Sequence, residues 1–315
     1  MRRNFRSIFI YSVASALLLI ASPIHAQWVL IDDFENLAVG TLVEGTTGSG
    51  ATWTGDMRAT NSAQVDPDCP SNMAMQIPGE SNSSTLRAAF SDASTNIVSG
   101  ATGTLFYRFR TPVAANGTTA YELGLTDDPL ITNFFFKSGL RYKTRSGVDE
   151  MELRDGTTFE TVAAFADNTW YSFWMVTNNT APGTFECYLQ SDTDPNFATQ
   201  TLLVSDGDVF DYRNNADSDI INLLFRNSNN FDGVAGNSFF IDDIYINPSA
   251  SDLTLPFTPL ILGDVNLDGA VDFSDIQPFI AVLKADSFQT EADCNKSGAV
   301  DFSDIPPFID ILSGQ

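Results

Sequence analysis

Residues 264–275 read DVNLDGAVDFSD and residues 293–304 read DCNKSGAVDFSD, one pattern written twice. A calcium ion takes six to eight oxygens at about 2.3–2.6 Å, and a twelve-residue loop supplies them from positions 1, 3, 5, 7, 9 and 12, with glycine at position 6 for the sharp turn. The first loop offers Asp264, Asn266, Asp268, the Ala270 carbonyl, Asp272 and Asp275, with Gly269 at the turn. The second offers Asp293, Asn295, Ser297, the Ala299 carbonyl, Asp301 and Asp304, with Gly298 at the turn. Val271 and Val300, at position 8, are placed to tie each loop to a core. Two complete matches in the same register point to two bound Ca²⁺ ions.

Each loop is followed by an apolar stripe at helical spacing: Ile276, Phe279, Ile280 and Leu283, then Ile305, Phe308, Ile309 and Leu312. One such stripe cannot bury itself, but two packed together form a small core. Pro278 and the Pro306-Pro307 pair fall early in these helices, in the first turn, where the amide has no intrahelical partner, so helix starts near Asp275 and Asp304 are kept.

Upstream the pattern is different. Residues 28–246 alternate short aromatic and β-branched runs, such as WYSFWMV at 170–176 and FFIDDIYI at 239–246, with clusters of Gly, Asn, Asp, Ser and Pro. That punctuation predicts many short strands in an antiparallel sandwich. The division expected is a signal peptide over 1–26, a β-sandwich over 27–248, a proline-containing linker over 249–262 and a calcium module over 263–315. The leader has the basic start Arg2, Arg3 and Arg6, an apolar run over 8–20 too short to span a bilayer, and an approach to cleavage at Ala26. It predicts a secreted protein, extracellular or in the cell envelope, with no membrane span in the mature chain.

Composition excludes several functions. The chain has 16 Lys plus Arg against 40 Asp plus Glu, a net charge of −24, and cleavage of the leader removes three bases and no acid. A field of that sign repels nucleic acid. The single histidine, His25, lies in the leader, so the mature chain has no imidazole for a Ser-His-Asp or Cys-His site.

The repeated loops and their helices resemble the type I dockerin, a tandem of calcium loop and helix found in secreted polysaccharide-degrading proteins, through Asp at position 12 and the absence of an entry helix before the first loop. The resemblance covers residues 263–313. It implies two Ca²⁺ and docking onto a cohesin-like module, with loop positions 10 and 11, here Phe273-Ser274 and Phe302-Ser303, setting partner choice. The identity of these pairs would permit two binding orientations. The large domain is similar, more loosely, to concanavalin-A-like jelly rolls, through VLIDDFENLAVG at 29–40 and the two strands quoted above. That likeness implies a two-sheet sandwich with a concave face where sugars lie, and no specific residue transfers. Trp53, Tyr142, Trp170 and Trp174 are available for stacking, with core packing the competing role; Trp170 and Trp174 share one parity and should face the same way.

Lys137, Arg141, Lys143, Arg145 and Arg154 cluster in sequence, and Arg141, Lys143 and Arg145 alternate on one strand face. Two readings stay open. These residues are a landing strip for an anionic polysaccharide, or a Ser146-Gly147 turn sets Lys143 opposite Glu150 and Arg141 opposite Glu152 as cross-strand ion pairs. FFKSGLRY at 135–142 faintly resembles a strand of jelly-roll alginate lyases, which use a histidine that this mature chain lacks. Glu150 and Glu152 share a face without the spacing of a jelly-roll glycosidase motif. The reading favoured is therefore non-catalytic binding, with a divergent glycoside hydrolase or polysaccharide lyase, or a structural or adhesive envelope protein, as alternatives. Export also predicts a Cys69–Cys187 disulfide.

Overall fold

In strands such as Thr184–Gln190, alternate side chains go inward without a break: Phe185, Cys187 and Leu189 are buried, whereas Thr184, Glu186, Tyr188 and Gln190 are not. Repeated across the chain, this period of two builds two antiparallel sheets around one apolar layer. The computed structural model describes residues 28–55, 61–77, 84–113, 119–128, 137–145, 148–205, 207, 209–214, 218–227, 238–257, 261–285 and 287–314. The expected leader, 1–26, and the Ser146-Gly147 turn lie outside them.

The first sheet runs, in spatial order, β13 (Thr201–Leu202), β12 (Thr184–Gln190), β11 (Trp170–Asn178), β6 (Thr102–Arg110), β16 (Phe239–Asn247), β4 (Cys69–Ile77) and β3 (Ser62–Asp66). β1 (Val29–Asp32) also pairs with β16, and β14 (Phe210–Asp211) with β12. The second sheet runs β10 (Thr158–Ala164), β9 (Val148–Asp155), β8 (Ser138–Arg145), β7 (Thr119–Thr126), β15 (Asn222–Asn227), β5 (Ser84–Phe90) and β2 (Ala51–Gly55). The protein is mainly β, an antiparallel sandwich followed by two short helices.

Aromatic rings fill the space between the sheets. Phe109 stacks on Phe239 and on Tyr171 with centroids 5.5 and 5.4 Å apart, and Phe239 stacks on Tyr121 at 5.0 Å. Each such pair contributes about 0.5–1.5 kcal/mol beyond its buried area. Trp53 and Tyr142 are fully buried here, in the packing role. Trp170 and Trp174 do face one way, outward from the first sheet, since Tyr171, Phe173 and Met175 take the core side.

Residues 248–257 run back across that outer face. Trp174 Nε1 donates to the Thr254 carbonyl at 3.1 Å, Trp28 Nε1 to Thr254 Oγ1 at 3.2 Å, and Phe257 lies 5.7 Å from Phe106. This strap explains how Trp174 is fully buried on an outward face.

The expected Cys69–Cys187 disulfide is not formed; none of the three cysteines is disulfide-bonded. Cys187 points into the core from β12, and Cys69 opens β4, four positions away in the same sheet. At about 4.8 Å per strand step, that separation of roughly 19 Å far exceeds the reach of a disulfide.

Candidate functional sites

The two repeated loops fold alike. In the first, Asp264 accepts from the Asp268 and Gly269 amides at 3.1 and 2.9 Å, and Asp275 reaches back to the Asn266 and Asp272 amides at 3.0 and 2.9 Å. In the second, Asp293 accepts from Ser297 and Gly298 at 2.9 and 2.8 Å, and Asp304 from Asn295 and Asp301 at 3.0 and 2.9 Å. Gly269 and Gly298 adopt φ of 88° and 83°, a region that disfavours a side chain, as the turn at position 6 requires. The acids at positions 9 and 12 form a capping box at each helix entrance, so the same side chains shape the loop and start the helix.

Helix α1 (Ile276–Ala285) and helix α2 (Ile305–Ser313) meet through Phe279 and Phe308. The stripes differ from expectation in one respect: Val282 and Ile311 join the small core, while Ile309 is 53% exposed. The face-to-face phenyl contact turns each helix about its axis, trading the i+4 position of the stripe for i+6.

Among the described residues, no group of three or more His, Cys, Asp or Glu side chains is gathered closely enough to hold a metal ion. The loop conformation and the donor set nonetheless suit calcium: Asp264, Asp275, Asp293 and Asp304 are buried carboxylates whose described partners are neutral amides of their own loops. Phe273 and Phe302 are 80% and 83% exposed, beside Ser274 and Ser303, the most exposed large apolar side chains among the described residues.

On the outer face of the second sheet, the register places Lys143 opposite Glu150 and Arg141 opposite Glu152, as a two-residue turn requires. The contacts are less even than that pairing. Glu152 takes both cations, with Arg141 Nε at 2.6 Å, Arg141 Nη2 on the same oxygen, and Lys143 Nζ at 3.2 Å. Arg226 donates to Glu122 at 3.1 Å farther along the same cross-strand row. Lys137 leaves the cluster altogether, buried against Asp127 at 3.1 Å. Arg145 lies in register with Val148 at the end of β8.

A third site went unnoticed in the sequence. A cleft of 640 Å³ opens on the outer face of the first sheet, lined by Trp170, Arg108, Asp66, Asn72, Asp243 and Glu35, and closed on one side by Asp293 and Lys296 of the second loop. It arises from a bulge in β16: Ile241 and Ile244 both stay in the core, so Asp242 and Asp243 both go outward, with Asp243 at φ 51°. Asp243 accepts from Arg108 at 3.2 Å, and Asp242 from Asn72 at 2.7 Å. The Arg108 guanidinium lies 4.9 Å from the Trp170 ring, whose Nε1 donates to Asp66 at 3.3 Å. Burial pushes the carboxyls of Glu35, Asp242 and Asp243 above their usual range, and the neighbouring acids push the same way. The signal was there to read: two adjacent acids interrupt the alternation of FFIDDIYI.

No family model matches this chain, and no curated protein matches it in sequence. Solved structures similar to it include the Emp47p carbohydrate recognition domain, at 11% identity and a TM-score of 0.39 over 72% of this chain and 96% of that one. A sialidase aligns at 10% identity and TM-score 0.41, over 84% of this chain and 21% of its own. A carbohydrate esterase from Shiga toxin-encoding bacteriophage phi24B aligns at 15% identity and TM-score 0.39, over 70% of this chain and 96% of its own. The likeness is one of fold and transfers no residue.

Proposed function

We propose that this is an exported protein, extracellular or in the cell envelope, in which a glycan- or surface-binding β-sandwich is held to a cohesin-like partner by a dockerin-like module carrying two Ca²⁺. The observation that carries the anchoring half is the matched pair Phe273 and Phe302, two phenyl rings exposed at the same position of two repeats. An apolar pair of this kind marks a protein contact. Asp264, Asn266, Asp268, Ala270, Asp272 and Asp275 would hold one ion, and Asp293, Asn295, Ser297, Ala299, Asp301 and Asp304 the other. Bound calcium supplies the positive charge that lets the carboxylates of each loop converge. Capture of the full chain by an immobilised type I cohesin module in calcium, lost on chelation and weakened by Phe273→Ala with Phe302→Ala, tests this. Capture indifferent to both changes would reject it.

For the sandwich, the Trp170 cleft falls within the usual volume of small-ligand sites and joins an aromatic ring to carboxylate and amide acceptors suited to sugar hydroxyls. A glycan array on the full chain tests it, with Trp170→Ala expected to lose the ligand. A second reading, a glycoside hydrolase, is favoured by one observation: Glu35 and Asp243 line the same cleft with raised carboxyls, as a general acid requires. New reducing ends from any bound glycan, abolished by Glu35→Gln, would establish that reading over simple binding.

A further inference from the structure

Arg154 stands on the outer face of the second sheet, on the far side of the sandwich from the cleft. It follows Leu153, which pairs with Leu140, so it lies in the row next to Arg141 and Glu152. The residue is 8% exposed, and its Nε is buried with no hydrogen-bond partner. Among the described residues, no acid lies within ion-pair distance of its guanidinium: Glu152 is engaged with Arg141 and Lys143, and Glu122 with Arg226. Its contact is the ring of Phe159, 3.9 Å away, which the Arg141 guanidinium also approaches, at 4.0 Å.

This arrangement is the reverse of the rest of the molecule. The chain carries a net charge of −24, yet here a buried cation is set close to two more, Arg213 and Arg141, whose charges oppose its own, while the acid that acts in its favour, Glu122, is already paired with Arg226. A guanidinium stays protonated at neutral pH, so the charge cannot be shed. Buried charges are normally paired, because leaving water without a counter-charge is costly. What no described residue supplies at ion-pair distance from Arg154 is an anion, and the planar fork matches a carboxylate or sulfate.

We propose that Arg154, with Phe159 orienting it and Arg141 beside it, anchors an anion subsite that takes a carboxylate or sulfate group of an acidic polysaccharide. The surroundings favour a glycan over denser polyanions. Duplex nucleic acid carries one phosphate charge per about 1.7 Å, and its neighbouring charges would meet Glu122, Glu150 and Glu152 on the same face. A glycan with one charge per sugar places its anion on Arg154 and its hydroxyls against those acids, which accept hydrogen bonds. This subsite rests on the glycan-binding reading for its ligand but not on the Trp170 cleft for its location.

Calorimetric titration of the full chain in calcium tests it, using a uronate oligosaccharide, a sulfated oligosaccharide, a neutral glucan oligosaccharide, inorganic sulfate, duplex DNA and anionic vesicles. The expected result is binding of the uronate or the sulfated glycan, weakened by about tenfold or more in Arg154→Met and less in Arg154→Lys. The thermal midpoint of each variant shows whether it remains folded. Uronate against sulfate identifies the group. Acidic-glycan binding that Arg154→Met leaves intact overturns the subsite, as does preference for DNA or vesicles. Binding of neutral glucan alone overturns it while the glycan reading stands, and an absence of binding to every glycan overturns both.

Discussion

Phe279 and Phe308 lie ring on ring, with centroids 4.1 Å apart and 4° between their planes, and join the two loop-helix repeats across their shared axis. Among the described residues they are the two aromatic members of a core whose other buried members are Val265, Ala292, Cys294 and Val300, with Val282 and Ile311 packed against it. Each repeat thus supplies half of the contact that makes the other one stable.

Phe308→Ala should therefore cost the C-terminal module about 3–5 kcal/mol, which is of the order of the whole stability of so small a core. The helical signal in circular dichroism should fall while the near-ultraviolet spectrum of the sandwich persists. Retained helicity with a cooperative transition would show that the helices are held by something else.

Removal of calcium should act on the same core. At the proposed calcium sites the first loop offers four carboxylates, Asp264, Asp268, Asp272 and Asp275, and the second three, because Ser297 stands at position 5. Affinity rises with ligand charge, so Asp264→Ala should lose the tighter ion and loosen both helices more than Asp293→Ala does. Calcium titration of each variant in the full chain checks the ranking, and equal damage would refute it.

Glu152 holds two cations, so its loss should be felt more than that of either partner. Glu152→Gln leaves Arg141 and Lys143 facing each other and should lower the stability of the sandwich by about 1–3 kcal/mol. Replacing Arg141, Lys143 and Arg145 together with Ser should cost about 1 kcal/mol, since partly exposed cross-strand pairs contribute little each. Denaturant unfolding of both variants decides the order.

The cleft carboxyls predict a pH dependence of definite sign. Burial raises Glu35, Asp242 and Asp243 above their unfolded values. Their charged forms oppose folding above the raised values, and that opposition is relieved as pH falls through them. Acidification from neutral pH should first stabilise the sandwich, and Asp242→Asn should raise its melting temperature at neutral pH and flatten the rise. A variant with the wild-type pH profile would dismiss this account.

What could be read in advance followed from residues whose chemistry is local. A two-residue Ser146-Gly147 turn predicted the β8–β9 register, and alternation along the strands then put Arg141, Lys143, Glu150 and Glu152 on one face. The identity of carboxylate partners was not legible in the same way: Lys143 reaches diagonally to Glu152 past Glu150, its direct neighbour, and side-chain length decides such a choice. The cysteine pairing failed because strand order in a sandwich is non-local, and nothing in Cys69 or Cys187 tells how many strands separate them. The strap over Trp174 was hidden behind its own composition. Its prolines and small residues read as a spacer, although the aromatic outer face of β11 and β6 needed a cover.

That strap has a mechanical consequence. A load pulling on a C-terminal anchor enters the sandwich not at the end of β16 but along residues 253–257, through the bonds from Trp174 and Trp28 to Thr254 and from Gln200 to the Leu253 carbonyl. The contacts lie across several strands, so tension is shared in shear over β11 and β6 instead of peeling the final strand from the sheet edge. Because β16 is itself interior, between β6 and β4, a protein tethered in flow would yield at the strap first and keep both sheets closed.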